Sequence, residues 1–347
     1  MAGRPAPSYP GARPLKLEAP SHSGEMQDVM SVPGDLVGST SARATFSGLF
    51  SAITTPTTET GALDLSTFER HVELLLEGGV DGICLGGATA EYPHVELQDR
   101  RTLIARAARR LPGDATLLVA IGAPTMRHAI DLGRFALDEG CRGVLLPMPM
   151  FFRYQQQDLA AYCRDVADRL AAPCLLYDLP EFTNPLDPET AIDLLTHEEH
   201  IVGIKDSSGK ADRARRFAEA RGVQDWALLV GDDSRLRDSM ALGWDGSVSG
   251  LAAVCPELIV ALVRAAKAGD VAEVARCQAL VDELIGQIAG LPVPWGIRIA
   301  LEARGLPMGP LPLPMTAERR ERAARLHAWL PGWLRRVGAA EWTRVAP

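Results

Sequence analysis

The chain has 347 residues, 47% of them hydrophobic and 23% charged, with a formal net charge of −8. That length accommodates an α/β barrel of roughly 250 residues with additions at its ends, and the composition is globular. No apolar run approaches the roughly 18 residues a membrane span requires, and a negative chain with scattered arginines lacks a nucleic-acid footprint, so the expected partners are small molecules, with no nucleic acid and no membrane.

Residues 1 to 44 are rich in Pro, Gly and Ser and poor in large apolar side chains. They bury too little surface to offset ordering entropy and are expected to form a flexible extension. The start MAGRPAPSYPGARPLKLEAP has no apolar signal core, which makes the cytoplasm, a reducing compartment, the expected location. From Phe46 onward short apolar runs alternate with longer segments of helical period. FSGLFSAI, DGICLGG, ATLLVAIG, RGVLLPMP, APCLLYDLP, HIVGIKD, WALLVGDD and DGSVSGLA read as eight strands, apolar throughout, as strands buried on both faces are. Segments between them, such as LSTFERHVELLLEGG and MRHAIDLGRFALDEG, repeat apolar residues at helical spacing and stop at glycine. Eight such pairs predict a (β/α)8 TIM barrel over residues 45 to 269. A doubly wound sheet is the competing architecture, but no G-x-G-x-x-G follows the first strand.

Three further helical segments predict a C-terminal helical part over residues 270 to 347. The last contains RRERAARLHAWLPGWLRR, whose Leu and Trp face is expected to pack on the body of the protein rather than on a membrane. The six cysteines are widely spaced with no C-x-x-C pair and read as buried reduced thiols. The seven histidines lie mostly on helices or in the extension, and HEEH at 197 to 200 lacks H-E-x-x-H spacing, so no metal is expected.

In such a barrel the chemistry sits at the carboxyl ends of the strands. Lysines are scarce: of 36 Lys and Arg residues only Lys16, Lys205, Lys210 and Lys267 are lysine, and Lys205 ends the sixth strand in IVGIKDSSGK. An ammonium pointed into an apolar mouth is poorly solvated; its pKa falls and the neutral amine can attack a ketone, chemistry closed to arginine. The competing reading is an ion pair between Lys205 and Asp206 or a neighbouring carboxylate. The second strand ends in GGATAEY, where Gly87, Ala88 and Thr89 offer amides and a hydroxyl to a carboxylate. Tyr177, in LLYDLP at the end of the fifth, is either a proton relay or a half-buried tyrosine with a satisfied hydroxyl. The seventh and eighth ends, GDDS and SVSG, supply Asp233, Ser234, Ser249 and Gly250 as ligand contacts.

These motifs, in this order, resemble those of the class I pyruvate aldolases that include dihydrodipicolinate synthase and N-acetylneuraminate lyase. GGATAE stands where members carry G-[ST]-T-G-E, LYDLPEFT where they carry Y-N-x-P-x-x-T, GIKDSSG at the Schiff-base lysine and DGSVSGLA at G-x-I-S-x-x-A. The resemblance implies a (β/α)8 barrel with a C-terminal helical part, assembled as a homo-oligomer, a dimer or more usually a homotetramer. Its small-molecule partner is a 2-oxo acid, and no cofactor is needed beyond the covalent lysine imine. It further implies Lys205 as the nucleophile, Tyr177 as the proton shuttle, and Thr89 with the amides around Ala88 as the carboxylate grip.

Three departures from the family pattern bear on the reaction, one being Phe151 and Phe152, with Tyr154 two places on, where synthases present a tyrosine across a subunit interface. Phe182 stands where synthases hold the second substrate's carboxylate with an arginine, replacing a charge-assisted grip by an apolar ring. Ala88 takes the place of a relay hydroxyl, as in many sugar-acid lyases. The expected activity is therefore carbon–carbon cleavage or formation in a 2-oxo acid, such as a 2-keto-3-deoxy sugar acid, with pyruvate as product or donor. Met148, Met150, Phe151, Phe152 and Phe182 are candidates for an apolar distal wall, facing either a sugar-acid tail gripped by Asp233 and Ser234 or a hydrophobic aldehyde. Dihydrodipicolinate synthase, a sugar-acid dehydratase on the same imine, and a non-catalytic 2-oxo-acid-binding barrel are the alternatives.

Overall fold

The eight apolar runs become strands because each is covered on both sides, by the barrel interior on one face and by a helix on the other. In the computed structural model, which describes residues 41–339, β1 (Gly48–Ala52), β2 (Gly82–Leu85), β3 (Thr116–Ala120), β4 (Gly143–Pro147), β5 (Cys174–Asp178), β6 (Ile201–Asp206), β7 (Ala227–Val230) and β8 (Gly246–Ser249) pair in parallel in chain order. The eighth strand closes on the first. A helical turn, α1 (Ala42–Thr45), precedes β1; it takes in the last residues of the expected extension, the rest of which lies outside the described residues. Then α2 (Leu65–Glu77), α3 (Leu97–Arg110), α4 (Met126–Asp138), α5 (Gln156–Leu170), α6 (Pro188–His197), α7 (Ala211–Arg221), α8 (Leu236–Ala241) and α9 (Pro256–Ala268) follow the strands one by one. This is the TIM barrel that the alternating pattern predicts.

Side chains sort into two layers by the period of two along each strand. On β5, Cys174 and Leu176 pack outward with the helices, whereas Leu175 and Tyr177 pack inside the barrel. The helices supply matching faces: Asp64 caps α2 by accepting the Thr67 amide at 2.9 Å, and Phe68, Val72 and Leu75 one and two turns on are buried. The C-terminal part consists of α10 (Val271–Ile288), α11 (Trp295–Ala303) and α12 (Ala317–Arg336). Leu326, Leu330, Trp333 and Leu334 form the buried face of α12, and Trp333 Nε1 donates to the Leu280 carbonyl of α10 at 3.3 Å. Among the described residues no helix is long and apolar enough to cross a membrane. All six cysteines are buried and unpaired.

One buried residue ties the core to proton chemistry. His71 on α2 is fully enclosed; Nε2 donates to the Ala253 carbonyl at 2.9 Å, leaving Nδ1 to accept from Thr54 Oγ1 at 3.3 Å. Burial, the largest effect, pulls its pKa from 6.5 down to about 4. The folded chain refuses a proton that the unfolded chain takes below pH 6.5, so stability is lost as pH falls from 6.5 toward 4, on the order of 3 kcal/mol for this residue. Urea unfolding of the parent and of His71→Gln at pH 7 and pH 4.5 measures this. The parent is expected to lose more stability than the variant over that interval.

Candidate active site

Tyr177 of β5 and Lys205 of β6 are register partners, and the next pair along is Asp178 with Asp206. The pleat therefore turns the phenol and the amine into the barrel and both carboxylates outward. Outside, Arg213 on α7 takes both: its Nη2 lies 2.6 Å from Asp178 and its Nε 3.5 Å from Asp206. Asp178 also accepts the Leu186 amide, and Asp206 the Ser208 amide. Burial lifts the Asp178 carboxyl to about 6 against the pull of Arg213. The reading of Lys205 as half of an ion pair with Asp206 thus gives way. Among the described residues the Lys205 ammonium has no salt bridge and no hydrogen bond, and it stands 4.1 Å from the centroid of the Tyr177 ring. Lys205 is 3% exposed and Tyr177 2%. Among the described residues the phenol oxygen has no hydrogen-bond partner either, so the half-buried tyrosine with a satisfied hydroxyl is not what is found there.

Above this pair opens a chamber of about 270 Å³ at the carboxyl ends of the strands. The loop after β2 brings Ala88 and Thr89 to its wall, and the ends of β7 and β8 bring Asp233 and Gly250. These loops approach closely: a methyl group on Gly250 would lie 3.3 Å from Thr89 Oγ1 and 3.9 Å from Asp233 Oδ2 and would crowd the threonine hydroxyl. Asp233 Oδ2 accepts the Leu251 amide at 3.0 Å, while Oδ1 is buried without a partner. Burial raises the Asp233 carboxyl to about 6, opposed by the Ser249 hydroxyl, the Leu251 amide and the charge of Lys205.

Three residues named from the sequence do other work. The Ser234 hydroxyl donates to Asp232 Oδ1 at 2.8 Å, and Ser234 does not line the chamber. Ser249 is fully buried; its hydroxyl accepts the Ala252 amide at 2.9 Å and reaches the cavity only through its effect on Asp233. Gly87 lies off the wall, where a methyl group would come 3.9 Å from the Tyr177 hydroxyl. Of the apolar candidates, Phe182 lines the chamber, Met148 is core against Cys163, and Met150 lines a neighbouring cavity. Phe151, at φ 73°, and Phe152 face solvent as an edge-to-face pair and do not reach it.

Sequence reasoning missed Ser207, Gly231 and Asp232, which all line the chamber, although each adjoins a residue or motif it singled out. It also missed the apolar roof of Ile285, Ile288, Val293 and Ile297, contributed by α10, α11 and the loop between them. Arg298 on α11 carries no local signal at all. Its Nη1 is 2.9 Å from Glu91 Oε2, and its Nη2 donates to the Met308 and Pro310 carbonyls. Glu91, two residues beyond Thr89, sits in the left-handed region at φ 51°. A buried ion pair from the C-terminal part thereby holds the β2 loop in a conformation it does not favour on its own.

A model of the dihydrodipicolinate synthetase family matches residues 45–331. The 4-hydroxy-tetrahydrodipicolinate synthase 1 of Streptomyces coelicolor is 34% identical over 289 residues, which cover 82% of this chain and 93% of that protein. A protein of Escherichia coli K12 named a probable 2-dehydro-3-deoxy-D-pentonate aldolase is 28% identical, covering 80% of this chain and 94% of its own. Among solved structures, YagE of the same organism, a prophage protein of the dihydrodipicolinic acid synthase family in complex with pyruvate, superimposes with a TM-score of 0.77 at 25% identity, covering 85% of this chain and 99% of its own.

The raised Asp233 carboxyl has a measurable sign. Charging it inside the fold opposes folding, so its contribution is neutral below its ordinary value near 3.8 and increasingly unfavourable as pH rises through about 6. Asp233→Asn removes that cost. The stability of the variant relative to the parent is expected to rise by on the order of 3 kcal/mol between pH 4 and pH 7.5 in urea unfolding, opposite in direction to the His71 effect.

Proposed function

This chain belongs to the dihydrodipicolinate synthetase family, whose members are class I lyases working through a lysine Schiff base without an external cofactor, and we propose that Lys205 is the imine-forming amine of a retro-aldol enzyme acting on 4-hydroxy-2-oxo acids. One observation carries this reading: the Lys205 amine is buried beside a free phenol while the two nearest outward carboxylates are held by Arg213. An amine so placed meets a ketone rather than a counter-ion.

Lys205 Nζ adds to C2 of the substrate and water leaves, forming a protonated imine. That imine draws the electron pair of the C3–C4 bond toward nitrogen. Tyr177, having given its own proton to the departing water, takes the C4 hydroxyl proton as a phenolate while C4 departs as an aldehyde, and then passes that proton to C3 of the remaining enamine. Hydrolysis of the imine then releases pyruvate and restores the amine. Thr89 and the amides near Ala88 hold the substrate carboxylate, and Asp233 and Gly250 bound the space around C4.

Cleavage is favoured over the condensation that names most relatives. Phe182 offers no charge to a second carboxylate, and Ala88 offers no relay hydroxyl. A 2-keto-3-deoxy sugar acid, in keeping with the name of the pentonate aldolase relative, and a 4-hydroxy-2-oxo acid with an apolar tail both carry the C4 hydroxyl that the mechanism needs. The reading extends to a dimer or tetramer, supported by the solvent-facing pair Phe151 and Phe152. It extends also to a cytosolic location, supported by six unpaired thiols.

Borohydride with pyruvate is expected to fix one pyruvyl group on the parent chain, mapped by peptide mass to Lys205, and none on Lys205→Ala. Pyruvate release should fall by on the order of 10⁴-fold in Lys205→Ala and by roughly 10² to 10⁴-fold in Tyr177→Phe. Stronger condensation with aspartate semialdehyde than cleavage of 4-hydroxy-2-oxo acids would overturn the preference for a lyase. Gly231 offers a second check: a methyl group there would lie 2.9 Å from Lys205 Cε and closer still to the Ser207 hydroxyl. Gly231→Ala is expected to cut pyruvate release about 10²-fold through displacement of the amine, with the circular dichroism spectrum retained.

A further inference from the structure

Resting on the reading of Lys205 as the imine-forming amine, we propose that the substituent this site accepts beyond C4 is an aryl or similarly bulky apolar group, so that the aldehyde released is hydrophobic rather than polyhydroxylated. Lys205, Tyr177, Thr89 and Asp233 meet the pyruvoyl end and C4, and Ser207 and Asp232 stand beside them on the strand-end side of the chamber. Its roof is hydrocarbon: Ile285, Ile288, Val293 and Ile297 face Leu179 and Phe182 across the opening, with Glu181 the charged side chain at the rim. Polar groups beyond C4 are few, and one of them is partly used. Asp232 Oδ1 already accepts the Ser234 amide and hydroxyl, and Ser234 itself, expected to grip a sugar tail, is turned away.

The chamber does not end at that roof. Ala88, Leu179, Phe182 and Val293 are shared with a second cavity of about 240 Å³ that continues outward between the loops after β2 and β5 and the start of α11. Met150, Trp295 and Leu313 give this second cavity its walls. Of its charged and titratable residues, Glu91 pairs with Arg298, His94 Nδ1 stands 4.0 Å from Glu91, and the Arg319 guanidinium lies over the Trp295 wall, 5.6 Å from the ring centroid. Most hydroxyls of a sugar tail entering here would exchange water for hydrocarbon, with only Arg319 as a charged donor on the wall, whereas a ring would fill the space and could stack beside that guanidinium and Trp295. Phe182, Val293 and Leu313 are 47%, 52% and 63% exposed and converge on this one cavity, the kind of exposed apolar patch that marks a binding surface.

In atoms, 4-hydroxy-2-oxo-4-phenylbutanoate splits at C3–C4 into benzaldehyde and pyruvate, the hydroxyl proton passing by way of Tyr177 and the electron pair passing to C3; no oxidant or reductant takes part. The test measures kcat/KM for pyruvate release by the full chain from this compound and from a 2-keto-3-deoxypentonate, beside borohydride fixation of pyruvate. A ratio of about tenfold or more in favour of the phenyl compound is expected. Phe182→Arg should lower that ratio about tenfold, by placing a charge in the shared wall. A parent ratio of one or below, with pyruvate still fixed on Lys205, overturns the proposal and leaves the patch as a surface between copies of the chain; an unchanged ratio in a folded Phe182→Arg overturns it as well. Failure to fix pyruvate at all would instead sink the imine reading beneath it. The parent ratio decides the matter even if the variant does not fold.

Discussion

Arg213 is the residue on which the chemistry of this barrel depends, although it never enters the chamber. Tyr177 and Lys205 are each followed by an aspartate, and two charged carboxylates next to an ammonium would ordinarily capture it. The pleat separates them, and Arg213 on α7 holds Asp178 and Asp206 on the outer face. An ion pair buried this deeply adds little net stability, because desolvation offsets the Coulombic gain. Its effect is on placement. With the carboxylates occupied, the amine is left facing a phenol and an open cavity.

The C-terminal helices are part of the same device. Without α10 and α11 the mouth of the barrel would be an open polar bowl; with them it becomes a chamber with a polar floor and an apolar roof. Arg298 links the roof to the floor mechanically. It draws the carbonyls of Met308 and Pro310 and the carboxylate of Glu91 together, and Glu91 in turn fixes the loop that presents Thr89. The chain beyond the eighth strand is therefore built into the site rather than appended to it.

This division of polarity also separates two kinds of recognition. Binding at the floor depends on charge, hydrogen bonds and a covalent bond, and tolerates little change in geometry. Binding at the roof depends on area and shape, and is easily changed by single substitutions such as the phenylalanine at 182. Proteins sharing one floor can for that reason differ in the molecule they cleave, and relatives of this chain carry the names of both a synthase and a sugar-acid aldolase.

What the sequence determined by itself was local in origin. Eight apolar runs, their order, and the helical period between them specify a parallel sheet covered on both faces, and the missing G-x-G-x-x-G favours a barrel over a doubly wound sheet; a lysine and a tyrosine at two strand ends, with Thr89 and Gly250 at two others, follow from counting along the runs. The tertiary structure alone decided which carboxylates lie out of reach of Lys205, that Ser234 and Ser249 do not line the cavity, and that Phe182 faces the chamber while Met148 joins the core and Phe151 meets solvent. It alone brought Arg298, 207 positions along the chain, onto Glu91. The physical reason is that period and propensity report which way a side chain faces along its own element, whereas these contacts arise only when the barrel closes and distant elements come to share one space.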